Sequence, residues 1–364
     1  MTDNAEELIK KVKPSKIILP IIIGLAVVGF MLYKDFDYKA FSSIIFNWNT
    51  VFWIFMALLM MVIRDVGYMV RLMVLTDGEF NLRTAFRVVM LWEFTSAVTP
   101  SAIGGTSIAI LFVTKENINI GRSSAIVLAT SVLDEMYFIL VFPLIILLVS
   151  SSALFTIGEI DSNVLTFANE FFYFAVIGYG LKFFYTLLVI YGLFFNPHGL
   201  KALLISVFKI PFFKRWQHKA VQIGDELIES SNELKSKKFI FWLKAFLATF
   251  FSWTARYWVV NMLLLALFGV VFFDIQDHFL IFARQLVMWL MMLVSPTPGG
   301  SGFAEFVFTR YLGEFFPIAG MVVAMALVWR IVTYYPYLIA GALIIPKWLR
   351  TKFKKPVLHK KTEN

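Results

Sequence analysis

The chain has 364 residues, 59% hydrophobic and 16% charged, whereas soluble domains run about 45–50% apolar and about 25% charged. It has no cysteine, which excludes disulfides, thiolate metal sites and cysteine nucleophiles, and its four histidines (His198, His218, His278, His359) are scattered without ligand spacing. A net charge of +9 in so apolar a chain signals basic loops on one side of a membrane rather than nucleic-acid binding.

Apolar runs near the ~20 residues that carry a helix across a bilayer recur along the sequence, and the alternating strands of ~10 residues that build membrane barrels do not. The expected fold is an all-α polytopic membrane protein. Residues 1–16 form a tail in which Lys10, Lys11, Lys13 and Lys16 place the N-terminus in the cytoplasm. No small-residue cleavage site follows, so the first span, Ile17–Tyr33, is expected to be retained.

The second span is Val51–Leu75, leading to Asp77, Glu79, Arg83 and Arg87. Thr84–Ile118 is apolar but interrupted by TPSAIGG at Thr99–Gly105, and neither half is long enough to span alone. The third span, Ser123–Val149, precedes an acidic loop with Glu159 and Asp161, and the fourth is Phe167–Phe195. A basic linker follows, residues 196–238, with Lys201, Lys209, Lys214, Arg215, Lys219, Lys235, Lys237 and Lys238. Within it Phe213, Trp216, Val221, Ile223, Leu227, Ile228 and Leu234 make a loose helical stripe. Such a stripe fits either an amphipathic helix on the inner leaflet or one packed on the ends of the bundle.

The fifth span is Phe239–Phe268, before a loop with Asp274 and Asp277. Phe279–Leu312 repeats the interrupted pattern around SPTPGGSG, and the last span, Ile318–Ile345, leads to a basic tail at 349–364. If both interrupted segments are re-entrant hairpins, every lysine-rich region falls inside and the acidic loops fall outside; a pair of full crossings in each would give the same sidedness. The expectation is six full transmembrane helices plus two re-entrant helical hairpins, eight membrane elements, in one transmembrane domain over 17–348. The membrane is expected to be the inner (plasma) membrane, with both termini cytoplasmic.

The two halves resemble each other. Arg64 precedes Pro100 by 36 positions and Arg256 precedes Pro296 by 40, while Asp134 follows Pro100 by 34 and Arg330 follows Pro296 by 34. Loop charges open the first hairpin to the cytoplasm and the second to the outside. The reading is therefore an inverted repeat, about 51–149 and about 239–345, a recurrent plan in secondary transporters. Irregular backbone at membrane depth is tolerated where it is buried in protein or lines a wet cavity.

Charges at that depth cost at least about 2.5 kcal/mol each, so they face the bundle interior or one another. Arg64, Tyr68 and Arg71 share a helix face beside Asp65; Thr249, Ser252 and Arg256 make a stripe; Ser124, Ser131 and Glu135 make another, next to Asp134. Arg330, Thr333, Tyr334 and Tyr337 line a third, and Glu93 and Glu305 flank the two loops. Arginines with helix ends and glycine-rich turns suit an anion such as phosphate. The acids could bind a cationic headgroup, take protons for coupling or pair with the arginines.

SPTPGGSGFAE resembles the proline–glycine–glutamate signature of the lysylphosphatidylglycerol synthase/flippase transmembrane-domain family, and TPSAIGGTS, SSAIVLATSVLDE and VWRIVTYYPYLIAG are similar to further stretches of it, over about residues 15–348. The resemblance implies a flippase-like domain moving polar lipids between leaflets. It carries over Pro296, Pro298, Gly299, Gly300, Gly302 and Glu305 in the second loop, Pro100, Ser101, Gly104 and Gly105 in the first, and Arg330 in the last span. Where relatives place an acid and an arginine after the first glycine pair, this chain has Thr106, Ser107, Ile108 and Ala109. Only the short tail follows the last span, so no aminoacyltransferase domain is expected there. A lipid-modifying enzyme, where one takes part, is expected as a separately encoded partner.

The function expected is a lipid translocase for an anionic or zwitterionic phospholipid or a lipid-linked substrate. No cofactor, metal or nucleic acid is expected, and no Walker-type phosphate loop is present. A secondary carrier of a small anionic solute, a membrane enzyme using Glu305 or Asp134 as acid or base, and an accessory subunit of a lipid-modifying enzyme are the alternatives.

Overall fold

The computed structural model describes residues 47–99, 104–149, 151–155, 162–207, 217–269, 274–292, 297, 299–316 and 321–352. The expected first span, Pro100, Ser101, Pro296, Pro298, Glu159, Asp161 and the basic tail at 349–364 beyond Lys352 lie outside these residues. Every element described is helical: α1 (Trp48–Leu75), α2 (Leu82–Val98), α3 (Gly104–Thr114), α4 (Ile120–Leu148), α5 (Ser151–Phe155), α6 (Ser162–Ile190), α7 (Pro197–Val207), α8 (Gln217–Ser236), α9 (Phe239–Phe268), α10 (Ile275–Met292), α11 (Phe303–Leu312), α12 (Val322–Thr333) and α13 (Tyr335–Lys352). Five stretches among them are long and apolar enough to cross a membrane: α1, α4, Val176–Phe195, α9 and α12–α13. They coincide with the second to sixth spans read from the sequence, and the chain is a multi-pass membrane protein.

Asparagine opens three of these helices. Asn47, Asn81 and Asn119 each accept through Oδ1 from the backbone N–H three residues on, at 3.0, 3.0 and 2.7 Å, which satisfies a donor the first turn leaves orphaned. The last span is not continuous. Pro336 has no N–H for the helical bond to Val332, and the chain turns at Tyr334 (φ −128°, ψ −55°) before α13 resumes.

Two sets of short helices, α2 with α3 and α10 with α11, pack against each other as pairs, each pair flanking one of the two interrupted segments. The most extensive helix contact is between α1 and α9. Gly67 permits it, because a Cβ there would stand 2.7 Å from the Ala248 carbonyl oxygen and 2.9 Å from Ser252 Cβ. Across this contact Ser252 Oγ donates to the Arg64 carbonyl at 2.7 Å. α13 lies on α2 in the same intimate way: a Cβ on Gly341 would be 2.2 Å from Phe94 Cγ.

The basic linker docks on the bundle. Leu227 and Leu234 of α8 are buried in the core, and Glu226 Oε2 accepts from the Gly121 N–H at 3.0 Å, capping α4. Of the two fits open to the helical stripe, its described part takes the packed one.

Candidate functional site

The site begins where the two interrupted loops meet. Gly299, Gly300 and Gly302 hold φ of 57°, 68° and 83°, a left-handed region that side chains enter only at a cost. Their turn aims backbone at its neighbours. The Gly299 N–H donates to the Thr99 carbonyl at the end of α2 at 3.3 Å, and a Cβ on Gly299 would stand 2.5 Å from both the Ala97 carbonyl oxygen and the Tyr334 ring.

Glu305, in the first turn of α11, holds this turn shut. One carboxylate oxygen accepts from the Gly302 N–H at 2.7 Å and the other from Arg330 Nε at 2.8 Å. Arg330 Nη2 also donates to the Gly299 carbonyl at 3.2 Å. Tyr334 Oη donates to the Ala97 carbonyl at 2.9 Å and lies 3.3 Å from Ser301 Oγ. Glu305 is only 2% exposed, so the clasp is a fully internal structure.

Beside this floor is a cavity of about 390 Å³. Arg71, Glu93, Asp134, Arg256 and Arg330 supply its charges, and Tyr68, Trp92, Trp253, Tyr257, Trp289, Trp329 and Tyr337 much of its wall. Arg71 pairs with Asp134, which also accepts from Trp253 Nε1 at 2.7 Å, and Arg71 Nη1 donates to Thr249 at 3.3 Å. Behind the wall, Arg64 is completely buried and serves two acids: Nη1 is 2.8 Å from Asp65 and Nη2 is 2.5 Å from Glu93. Tyr337 Oη donates to both oxygens of Asp65, at 2.9 and 3.1 Å. The guanidinium carbons of Arg64 and Arg71 lie 4.8 and 4.7 Å from the centre of the Tyr68 ring.

Arg256 is different. Among the described residues it has no hydrogen-bond or ion-pair partner, and its guanidinium rests 5.4 Å from the centre of the Trp253 ring. Beside it in the lining, Tyr257 Oη and Arg71 Nε are buried donors without an acceptor among the described residues.

Arg71, Glu93, Asp134, Arg256, Gly299, Gly300 and Arg330 line the cavity; Arg64, Asp65, Gly302 and Glu305 stand behind it as partners. Gly104 and Gly105 open α3. Glu135 turns to another side of α4, where Lys182 Nζ donates to its two oxygens at 2.5 and 2.7 Å. Sequence reasoning missed Lys182, whose ammonium also sits 3.7 Å from the centre of the Trp289 ring. It missed Arg284, which donates to the Tyr311 and Ala153 carbonyls at 2.8 and 2.7 Å and pairs with Glu314 at 2.7 Å. A lone charge inside an apolar stretch was the available signal for both. Among the described residues no three or more histidine or acidic side chains are arranged to hold a metal ion.

A family model described as the lysylphosphatidylglycerol synthase TM region matches residues 17–341, and the chain belongs to that family. It is also similar to a UPF0104 membrane protein of Archaeoglobus fulgidus, 24% identical over 316 residues that cover 84% of this chain and 85% of that protein. No solved structure matches it.

Proposed function

We propose that the protein is a lipid translocase whose central cavity takes the polar headgroup of a phospholipid or lipid-linked substrate while the acyl chains stay outside it. The observation that carries this reading is Arg256: a guanidinium that makes no hydrogen bond or ion pair among the described residues, on the wall of a cavity floored by two broken helix pairs. A charge at membrane depth that the protein leaves unpaired is suited to a charge that arrives with the substrate. Ligand pockets run about 300–1,000 Å³, so 390 Å³ accommodates a headgroup.

In this reading α2–α3 and α10–α11 are re-entrant hairpins of an inverted repeat. Two features support it. The corresponding spans α1 and α9 pack along each other, and the two loops touch through Gly299 and Thr99. The cytoplasmic end would be the one carrying Lys237, Arg122 and Lys352, and the outer end the one carrying Asp274 and Asp277, in the inner membrane. A separately encoded lipid-modifying enzyme would supply a modified lipid.

The test is leaflet exchange in proteoliposomes holding fluorescent phospholipids of several headgroups, with dithionite quenching the outer leaflet. The expected result is protein-dependent quenching beyond the outer-leaflet fraction, lost in Arg256→Gln. Equal exchange by wild type and variant would remove Arg256 from the mechanism. No exchange with any headgroup, together with uptake of a small organic phosphate, would establish instead a secondary carrier of an anionic solute, the reading that the modest cavity volume also serves.

A further inference from the structure

We infer that the cavity is built for a zwitterionic headgroup, one phosphate and one ammonium, with the phosphate at Arg256 and the ammonium at Glu93. The inference rests on the headgroup-site reading above and follows from how the buried charges pair. Arg71 answers Asp134, and Arg330 answers Glu305. Arg64 alone faces two carboxylates, Asp65 and Glu93, so that cluster carries one negative charge too many. Arg256 carries one positive charge too many. The charged groups around the cavity therefore balance only across it: Glu93 on α2 and Arg256 on α9 face and attract each other without a hydrogen bond or ion-pair contact among the described residues.

Separated charges in a low-dielectric interior interact strongly with whatever enters between them. A lone anion would satisfy Arg256 and leave the acidic surplus with no counter-charge; a lone cation would do the reverse. A zwitterion answers both. The hydrogen-bonding groups are distributed to match. Arg256, Tyr257 Oη and Arg71 Nε are donors in want of acceptors, which phosphate oxygens supply. Glu93 keeps 21% of its side-chain surface exposed, and beside it Trp92 lines the cavity with a ring that has no aromatic or cation partner among the described residues. A partly exposed carboxylate next to a tryptophan of the cavity wall is a fitting site for an ammonium.

The competing way to balance the same charges is an anion at Arg256 with a proton on Glu93. The groups facing Glu93 are Arg64, Asp65, Tyr68 and Arg71 on α1, Arg256 on α9 and Tyr337 on α13, so its protonation would answer the filling of Arg256 across the cavity.

Binding to the full-length protein in a maltoside detergent separates the two. The probes are deacylated headgroups: glycerophosphoethanolamine, glycerophosphoglycerol and ethanolamine, titrated calorimetrically in buffers of different ionisation enthalpy. Glycerophosphoethanolamine is expected to bind at least about tenfold tighter than either other probe, without net proton uptake. Glu93→Gln is expected to bring it down to the level of glycerophosphoglycerol, and Arg256→Gln to abolish both. The ranking by the unaltered protein needs no variant to fold. Equal binding of the two phosphodiesters with one proton taken up, or no binding of any probe, would overturn the zwitterion.

Transport then identifies the source. Exchange of phosphatidylethanolamine without release of trapped glycerophosphoethanolamine supports a lipid headgroup. Release of the trapped solute without lipid exchange keeps the zwitterion and overturns the translocase.

Discussion

The two interrupted helix pairs hold the same kinds of residue and use them in opposite ways. At the second, the polar groups of Glu305, Arg330, Tyr334 and Ser301 answer one another and the backbone around them. Glu305 accepts from Gly302 and Arg330, Arg330 reaches Gly299, and Tyr334 bridges Ser301 and Ala97. At the first, Glu93 shares one arginine with Asp65, and across the cavity Arg256 makes no hydrogen bond or ion pair among the described residues. The motif with the more specific sequence thus builds a keystone, and the groups left over for a substrate come from the less conspicuous half and its opposing helix.

If that contrast is right, breaking the keystone costs stability before it costs anything else. Glu305→Ala leaves Arg330 buried with no carboxylate and frees the Gly302 N–H, and losing one partner of a buried pair costs about 3–5 kcal/mol. The expected outcome is a large fall in the melting temperature of the detergent-solubilised protein, with transport falling in proportion to folded protein. An unchanged melting temperature would show that Arg330 is solvated from the cavity and would move the second loop into the same class as the first.

Arg256→Gln probes the other side. It removes no hydrogen bond or ion pair between described residues, only the contact with the Trp253 ring. The melting temperature is expected to hold while leaflet exchange falls at least about tenfold, the equivalent of about 1.4 kcal/mol. A fall in stability as large as that of Glu305→Ala would erase the distinction between the halves.

Much of this was legible in the sequence because membrane burial makes charge conspicuous. The two Pro/Gly interruptions, five described spans and the shared face of Arg64, Tyr68 and Arg71 all follow from helical spacing and the cost of a charge in lipid. Pairing was not legible. Glu135 and Asp134 are neighbours in sequence, yet 100° of helix turn sends one to Lys182 and the other to Arg71 and Trp253. Periodicity says which residues share a face; it does not say which helix that face meets. The break at Tyr334 was equally hidden, since Ile318–Ile345 reads as one apolar span despite Pro336, and only its neighbours show the tyrosine turned onto Ala97.

That tyrosine gives a finer test of the keystone. Tyr334→Phe keeps the ring beside Gly299 and deletes only the hydroxyl that donates to Ala97 and touches Ser301. Loss of one such bond is worth about 1 kcal/mol. The expected result is a small drop in melting temperature with headgroup ranking unchanged. A changed ranking would mean that the floor of the cavity takes part in recognition.

The smallest effect is expected at the wet end of the bundle, where ion pairs are as numerous but are screened. Lys237 donates to both oxygens of Asp77, at 2.9 and 2.8 Å, and pairs with Glu233 at 3.2 Å. The hydrogen bonds to Asp77 raise its pKa above the ordinary lysine value. Because the folded-state pKa is the higher one, the contribution is fully present below the unfolded lysine pKa and fades as pH rises through the folded value. Exposed pairs of this kind are worth about 1 kcal/mol or less and weaken with salt. Lys237→Gln is expected to lower the melting temperature slightly at neutral pH and low salt, with the gap from wild type closing in strong alkali and at high ionic strength. A gap that survives both would mean that Lys237 is held by packing, through the Phe241 ring 5.6 Å away, and that this end of the bundle shares the dry character of the keystone.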